Sequence, residues 1–507
     1  MSSRIASITA AALLALSCNQ QPALHAPSTV QGAGEAARVH MRDGSVYNLT
    51  SWRRDGERLR GRGARYDAER RLVREGAFSI DMENIAVVEM GETQVRGTDV
   101  SVAAMSVVTA GSIGVSAYCA MNSKACFGSC PTFYVARDGA WTVQAEGFST
   151  SVARSLEASD LDDMPDAVPQ DGALVVAMRN EAIETHVTRN VALRVVDAPE
   201  GSVAYRRFDT ERFDAVGALQ APVSVDEGVS LAALAARDGD EYAPVSDGVD
   251  LAHRTSITLR YPAAGRSRVA LALTARNSLM NTYVFYHLLA LHGRSGPEFS
   301  AALERSDPAT LGALGGFDRA LGGVDVEVHD PDGAWRHVAT LPYIGPIARA
   351  TRAASFEVRD PSAPVEVRLR FARAHWRFDA ALLGAVVASD LPSVTVWPER
   401  VSGNGRDTDD AAARFRGEGA RVVTLPGDEL MLRFPLPEAR GRASYFLAAR
   451  GYYYEWTREE WLREEDLPLA RAYLEDPSRA LRELAPAWQR QEPDMARHFE
   501  ASRFRGR

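Results

Sequence analysis

The 507-residue chain lacks the sequence signatures of several large enzyme classes. It contains no Gly-x-Ser-x-Gly nucleophile elbow, no Walker loop, no His-Glu-x-x-His zinc motif and no dinucleotide-binding fingerprint. It also lacks an excess of positive charge, since its formal net charge is −9. A chain with this charge is a poor partner for nucleic acid. We therefore expect no nucleic-acid partner, and a non-catalytic role is favoured over a catalytic one.

Cysteine is also scarce, with four residues at positions 18, 119, 126 and 130. If Cys18 carries a lipid, the simplest disulfide in an oxidising compartment joins Cys126 to Cys130. A bond from Cys119 to one of these two cysteines is the alternative. No histidine lies near this cluster in the sequence, which disfavours a zinc or iron–sulfur centre.

The first 18 residues have the pattern of a secretory signal that ends at a lipidated cysteine. Arg4 supplies a positive start, residues 5–16 form an apolar run, and Ser17 precedes Cys18. An ordinary signal, cleaved before residues 23–27, is the alternative. By resemblance to Gram-negative sorting rules, Asn19 favours the outer membrane. The sequence thus predicts an exported lipoprotein that faces the periplasm or the cell surface.

Short alternating runs between turn signals predict a mainly β fold. Asp55-Gly56 and Asp138-Gly139 are typical of hairpin turns, whereas residues 279–291 favour a helix with an apolar face. Pro468 and Pro477 indicate the first turns of helices in the C-terminal tail. The predicted segments are a signal peptide (1–17), a tether (18–37), a small β-barrel-like unit (38–92), an apolar segment (98–124), a β domain with the Cys-x3-Cys spacing (125–250), a β-sandwich domain (251–440), and an aromatic seam with a helical tail (441–507).

Residues 100–123 carry no charged side chain and are long enough to span a bilayer as a helix. Their many Ser, Thr and Gly residues make the segment only weakly hydrophobic on an insertion scale. We therefore favour burial in a core or peripheral membrane contact over a true span. A membrane-inserted assembly component remains an alternative function.

The run Cys-Phe-Gly-Ser-Cys-Pro-Thr at residues 126–132 resembles a motif of a group of uncharacterised bacterial lipoproteins. Further matching segments lie at residues 146–149, 180–186 and 450–456, so the resemblance covers most of the mature chain. In that group an Asp-Gly-Ser β unit and a short apolar segment precede the cysteine motif. The resemblance implies a location in the cell envelope and a domain architecture, but no activity.

The candidate site residues are two small groups, and neither amounts to an assigned catalytic or metal site. On a strand, Glu184 and His186 point to the same face while Glu181 points away. Two ligands fall short of the three that a catalytic zinc requires. Tyr452, Tyr454 and Trp456 would bind a glycan or a partner if exposed, although a buried seam is favoured.

Two aspartate runs are candidate calcium ligands, because Ca²⁺ prefers several oxygens on one loop. They lie at residues 160–166 and 407–410, and neither has EF-hand spacing. Solvated acidic loops are the favoured interpretation, so no cofactor is assigned.

The sequence therefore predicts a membrane-anchored exported lipoprotein that acts as a binding or scaffold module in the cell envelope. Its partners would be the membrane, through the lipid, and an envelope protein or glycan. The alternative is an envelope hydrolase with a glycan or peptide substrate, which would need two carboxyls facing each other in a cleft.

Overall fold

The structure is a computed structural model of the chain. It describes residues 21–92, apart from 26, 28–29, 35–36, 42–44 and 67–71, and residues 130–501, apart from 183, 209, 297–298, 300–301, 304–305, 404–405, 408, 418–420, 426, 439–440, 456–460 and 462–463. Several predictions fall outside the described residues. These are the signal with Cys18, the apolar segment, Cys119, Cys126 and Trp456.

The chain divides into two compact units, residues 1–117 and residues 118–507. The first unit is one antiparallel sheet in the order β1-β7-β3-β4-β5-β6, and β2 pairs with β4. Its core contains Leu49, Trp52, Phe78 and Ile80. The strands are β1 Gln21–His25, β2 Ala33–Gly34, β3 Ala37–Met41, β4 Val46–Asp55, β5 Arg58–Tyr66, β6 Leu72–Asp81 and β7 Ile85–Glu92.

The second unit contains most of the strands and the helices. Its strands are β8 Thr132–Arg137, β9 Ala140–Glu146, β10 Ala158–Asp163, β11 Ala173–Arg179, β12 Glu184–Ala198, β13 Val203–Arg207, β14 Phe213–Val216, β15 Ser224–Val225, β16 Arg254–Ala263, β17 Arg268–Asn277, β18 Val324–His329, β19 Trp335–Leu341, β20 Ala350–Glu357, β21 Pro364–Ala372, β22 Trp376–Ala388, β23 Val394–Val396, β24 Arg400–Gly403, β25 Arg406–Asp407, β26 Val422–Thr424, β27 Glu429–Pro435 and β28 Arg442–Glu455. Its helices are α1 Ala232–Ala235, α2 Met280–His292, α3 Pro308–Leu321, α4 Asp409–Phe415, α5 Leu467–Glu475 and α6 Pro477–Ala501.

Two sheets of the second unit pack face to face as a β-sandwich. One has the order β25-β24-β27-β11-β8-β9, and the other has the order β10-β28-β12-β23 with β26 also paired to β12. The alternating apolar residues of both sheets meet in one core, which includes Phe133, Val176, Leu193 and Leu447. Strands from residues 132–179 and from residues 400–435 thus share one sheet.

A second layered core lies between a closed barrel and a further sheet. The barrel is formed by β13-β14-β22-β17-β20, and the sheet has the order β15-β16-β21-β18-β19. Leu271, Phe378, Val326 and Leu369 lie in the shared core. The prediction of a mainly β fold with β-sandwich packing and a helical C-terminal tail is confirmed. Among the helices in the described ranges, none is long and apolar enough to cross a membrane.

Candidate functional site

The candidate functional site is a cleft of about 380 Å³ in the second unit. Its walls are α2, α3 and the 149–156 segment, and its base includes Tyr343 and Tyr453. Most of the lining is apolar, with side chains such as Val152, Leu156, Val284, Leu288, Leu311 and Leu314. This volume falls within the range of small-molecule sites, which are mostly apolar with a few placed polar groups.

The helix α2 forms one wall because it is apolar on most of its surface. Its side chains from Met280 to Leu291 are almost all buried, as expected for a helix enclosed by other elements. It ends at Gly293, whose φ of 48° places it in the left-handed region that favours glycine. The predicted helix at residues 279–291 is confirmed to within one residue.

The helix α3 forms the opposite wall, and sequence reasoning missed it. Asp307 caps it by accepting hydrogen bonds from the backbone N and the hydroxyl of Thr310, at 2.9 and 2.7 Å. Pro308 lies in its first turn, where proline is favoured. Only Phe317 and Leu321 are fully buried on this helix, whereas Leu311 and Leu314 stay half-exposed at the cleft.

Several polar side chains also line the cleft, and they differ in their partners. The Oδ1 atom of Asn281 is buried and has no hydrogen-bond partner in the described part of the chain. The hydroxyl of Tyr453 donates to the carbonyl of Ser149 at 3.3 Å. Asp318 is the one carboxylate among the described lining residues and is exposed overall. Partial burial raises its pKa, and the positive charge of the neighbouring Arg319 opposes this shift.

A buried acidic group lies close to the tyrosines of the cleft base. The thiol of Cys130 donates to Glu146 Oε2 at 3.3 Å, and Glu146 Oε1 accepts from the backbone N of Ile347 and Ala348. Burial raises the pKa of Glu146 to about 8, so this carboxyl is largely protonated at neutral pH. Burial, with Glu146 nearby, also raises the pKa of Tyr343.

Three of the predicted loop aspartates lie on β10 instead of a solvated loop, so that interpretation was wrong. The Asp160 carboxylate accepts from the backbone N of Ser149 at 3.1 Å, and the Asp163 carboxylate accepts from the backbone N of Thr351 at 2.7 Å. Asp162 forms a buried ion pair with Arg352. Burial raises the pKa of Asp160 and of Asp163 to about 6. These carboxylates therefore connect the 149–156 segment and the barrel strand β20 to β10 of the sandwich.

Glu184 and His186 share one face of β12, as the strand alternation predicts. His186 Nε2 lies 2.5 Å from Glu184 Oε1, and both side chains are fully buried. Glu181 precedes the strand and accepts a hydrogen bond from Tyr134 at 2.6 Å. The described residues contain no group of three or more His, Cys, Asp or Glu side chains placed to hold a metal. Glu184 and His186 do not line the cleft.

The aromatic run on β28 is divided between two faces of its strand. Tyr452 and Tyr454 are buried against each other with ring centroids 5.4 Å apart, so neither is exposed. Tyr453 points to the opposite face and reaches the cleft. The sequence could have indicated this division, because adjacent residues of a strand face opposite sides of the sheet.

No disulfide is present within the described ranges. Because Cys126 lies outside them, its bond to Cys130 stays a prediction. Burial is the main reason why the pKa of the Cys130 thiol is raised, and a protonated thiol is a weak nucleophile.

The described cleft offers shape and apolar contact, but not the pair of carboxyl groups that the hydrolase alternative requires.

Comparisons with known proteins leave the site unassigned. No protein-family model and no curated protein matches the chain. A solved β-porphyranase of glycoside hydrolase family 86 from the human gut bacterium Bacteroides plebeius is similar at 10% identity and a TM-score of 0.16, over 46% of this chain. The GH31 alpha-xylosidase from Xanthomonas citri is similar at 9% identity and a TM-score of 0.12, over 85% of this chain. This chain spans 37% and 38% of the lengths of these two proteins, and likenesses this distant carry no argument about function.

Proposed function

We propose that this protein is a membrane-anchored binding module of the cell envelope, which holds a small apolar ligand in the cleft between α2 and α3. The observation that carries this proposal is the apolar lining of the cleft. Leu311 and Leu314 remain partly exposed there, among the residues that line the cleft. Apolar surface left uncovered in a concave site favours a ligand that covers it.

The binding free energy expected from covering the apolar surface of the cleft is modest, which fits reversible binding. Covering apolar surface contributes about 25 cal/mol per Å², so an apolar ligand that covers ~200 Å² gains about 5 kcal/mol before entropy costs. Before those costs, about 5 kcal/mol corresponds to a dissociation constant of about 0.2 mM, so the net affinity would lie in the millimolar range. Such a ligand could exchange between the cleft and a nearby membrane.

The anchoring part of the proposal rests on the N-terminal pattern of the sequence. Lipidation at Cys18 would tether the folded units to an envelope membrane. Cells that express the wild type or Cys18→Ser, each with its signal, should differ on fractionation. We expect wild type in the membrane fraction and Cys18→Ser in the periplasm. Retention of both in the membrane after alkaline washing would favour insertion of residues 100–123 instead.

Export would also place Cys126 and Cys130 in an oxidising compartment, where the proposed disulfide can form. Thiol alkylation of the denatured protein, followed by mass spectrometry, measures this pairing. Alkylation of both residues without prior reduction would count against the bond.

Two glycines of α3 provide a matched test of the cleft. Gly315 lines the cleft, and an added Cβ there meets only the far end of the Arg319 side chain, at 3.2 Å. An added Cβ at Gly312, one turn earlier, meets nothing within 4 Å. Gly315→Leu should therefore fill the cleft, whereas Gly312→Leu should leave it open with a similar gain in helix propensity.

The assay is the fluorescence of the uncharged dye N-phenylnaphthylamine with the Cys18→Ser form of the full chain. We expect saturable binding that Gly315→Leu weakens about tenfold or more and that Gly312→Leu preserves. Equal binding by the two variants would place the dye elsewhere and contradict the proposed function.

A further inference from the structure

We infer that Arg189, Arg421 and Arg450 form a binding site for a phosphate monoester on the sheet that contains β12 and β28. This site goes beyond the proposed function, because these arginines do not belong to the lining of the cleft. The inference follows from three guanidinium groups that share one carboxylate, which leaves positive charge and exposed N–H donors unused.

The arginine cluster, which consists of these three residues around Glu157, is assembled by neighbouring strands. Arg450 lies on β28 opposite Asn190 of β12, and Arg189 is the residue at the β-bulge of β12. Arg421 directly precedes β26, which also pairs with β12. A bulge redirects a side chain out of the regular alternation of a strand, and here Arg189 and Arg450 both reach Glu157.

All three guanidinium groups contact the same carboxylate. Nε and Nη2 of Arg189 donate to Glu157 at 2.5 and 3.1 Å. Nε of Arg450 donates to Glu157 at 2.7 Å, and Nη2 of Arg421 lies 3.7 Å from its Oε2 atom. In the described part of the chain, these arginines form no ion pair with any other carboxylate.

The arginine cluster carries a surplus of positive charge. Burial acts to raise the pKa of Glu157, but the hydrogen bonds and charges of Arg189 and Arg450 lower it, so this carboxylate is ionised at neutral pH. Three guanidinium charges against one carboxylate leave two positive charges uncompensated. This surplus is local, since the whole chain has a formal net charge of −9.

The guanidinium groups are accessible and hold further donors. The side chains of Arg189, Arg421 and Arg450 are 39%, 22% and 45% exposed. Among the described residues, Nη1 of Arg189 and both Nη atoms of Arg450 have no hydrogen-bond partner. Arg421 is held by Tyr452, whose hydroxyl accepts from Nη1 at 3.2 Å and whose ring centroid lies 5.2 Å from Cζ. A ligand can therefore reach N–H groups that the protein has already oriented.

The surplus charge and the unused donors together select the ligand. Arginine binds phosphate oxygens in pairs, and guanidinium groups from several strands suit a tetrahedral anion with three terminal oxygens. A phosphate monoester carries about two negative charges at neutral pH, which match the two uncompensated charges of the arginine cluster. A carboxylate or a sulfate monoester carries only one. The ligand class is therefore a phosphate monoester, either free in solution or in the head group of a lipid.

Methyl phosphate and methyl sulfate separate charge from shape, because both are tetrahedral monoesters with three terminal oxygens. Each competes with radiolabelled inorganic phosphate in equilibrium dialysis of the Cys18→Ser form of the full chain, at about pH 8 and low ionic strength. We expect methyl phosphate to displace the label at concentrations about fivefold or more below those of methyl sulfate. This advantage should shrink at about pH 5, where the phosphate monoester gains a proton. Equal competition by the two esters at about pH 8 would overturn the ligand class.

Arg450→Gln tests the arginine cluster, and Arg260→Gln is its matched control. Arg260 is 44% exposed and donates through Nε to Glu366 at 2.8 Å, so the exposure and the ion pair resemble those of Arg450. Arg450→Gln should weaken phosphate binding about tenfold, whereas Arg260→Gln should preserve it. Arg450→Lys should also weaken binding, because lysine keeps the charge but loses the planar fork. Equal binding by Arg450→Gln and Arg260→Gln would overturn the site.

Glu157→Gln removes the carboxylate that competes with the ligand. The surplus then rises from two to three positive charges, so the folded variant should bind phosphate about threefold more tightly or better. A purely structural ion-pair network predicts no such gain, and unchanged or weaker binding by the folded variant would contradict the inference. Thermal unfolding shows whether each variant is folded, and the exposed position of Arg450 keeps the test open if Glu157→Gln does not fold.

Vesicles distinguish the two sources of the phosphate monoester. Phosphatidic acid presents this group on a membrane, so phosphatidylcholine vesicles are compared with and without it. Co-sedimentation that requires both phosphatidic acid and Arg450 would identify a lipid head group, whereas binding of free phosphate without co-sedimentation would identify a soluble ligand. If neither assay shows binding that depends on Arg450, the inference is overturned.

Discussion

Glu146 should make the fold less stable as the pH rises. Burial, assisted by the negative charge of Asp162, raises the pKa of Glu146 from an ordinary 4.5 to about 8 in the folded state. In the unfolded chain this carboxyl ionises near its ordinary pKa. The folded state therefore holds the proton more tightly, and the stabilising contribution is complete at low pH. It is lost as the pH rises through the interval up to about 8.

The magnitude follows from the two pKa values. At about 1.36 kcal/mol per pKa unit, the difference between 4.5 and about 8 corresponds to about 5 kcal/mol. About 4 kcal/mol of this loss falls between about pH 5 and about pH 9. Asp160 and Asp163, whose pKa values are raised to about 6, contribute in the same direction at the acidic end of this range.

Glu146→Gln isolates the contribution of this one carboxyl. Glutamine keeps an oxygen that accepts from the backbone N of Ile347 and Ala348, which lie 3.1 and 3.3 Å from Oε1 of the native side chain. It cannot ionise, so it should resemble wild type at about pH 5. At about pH 9 it should be the more stable protein by about 4 kcal/mol.

Urea unfolding followed by tryptophan fluorescence measures this difference, with the Cys18→Ser form as the parent. The control is Glu227→Gln, which makes the same chemical change at an exposed position. Parallel profiles for the parent and Glu146→Gln would refute the reasoning, since they would show that Glu146 does not bind its proton more tightly in the folded state.

Other substitutions test packing and a buried ion pair. Gly312→Ala should stabilise the protein by about 0.5–1 kcal/mol, because the added Cβ meets nothing within 4 Å and alanine favours a helix. Gly316→Ala should instead lower the melting temperature, since its Cβ would lie 2.7 Å from Cγ of Pro477. Glu492→Leu should cost about 3–5 kcal/mol in urea unfolding, because it leaves the buried guanidinium of Arg377 without its ion-pair partner. Unchanged unfolding of Glu492→Leu would show that the pair contributes no net stability.

Local sequence signals predicted many elements correctly. Asp138-Gly139 forms the turn between β8 and β9, with φ values of 52° and 79° that suit a type I′ hairpin. Pro468 and Pro477 begin the tail helices as expected. These signals succeed because they depend on backbone preferences within a few residues.

The candidate site was less accessible to sequence reasoning. Glu184 and His186 were placed correctly on one face of a strand, but whether that face was buried depended on the other sheet. The cap of α3 at Asp307 was a readable signal that went unused. The position of Tyr453 at the cleft could not be predicted from the sequence, because it depends on what packs against each face of β28.

The sequence by itself determined the β class, the turns, the alternation of each strand and the ends of several helices, since all of these depend on local conformational preference. Only the tertiary structure decided that β11 pairs with β27, whose residues Arg179 and Glu429 lie 250 positions apart. Every strand edge offers the same backbone donors and acceptors, so pairing is selected by the apolar surface that the whole sandwich buries. The cleft follows from that arrangement, because its walls come from segments that only the folded chain brings together.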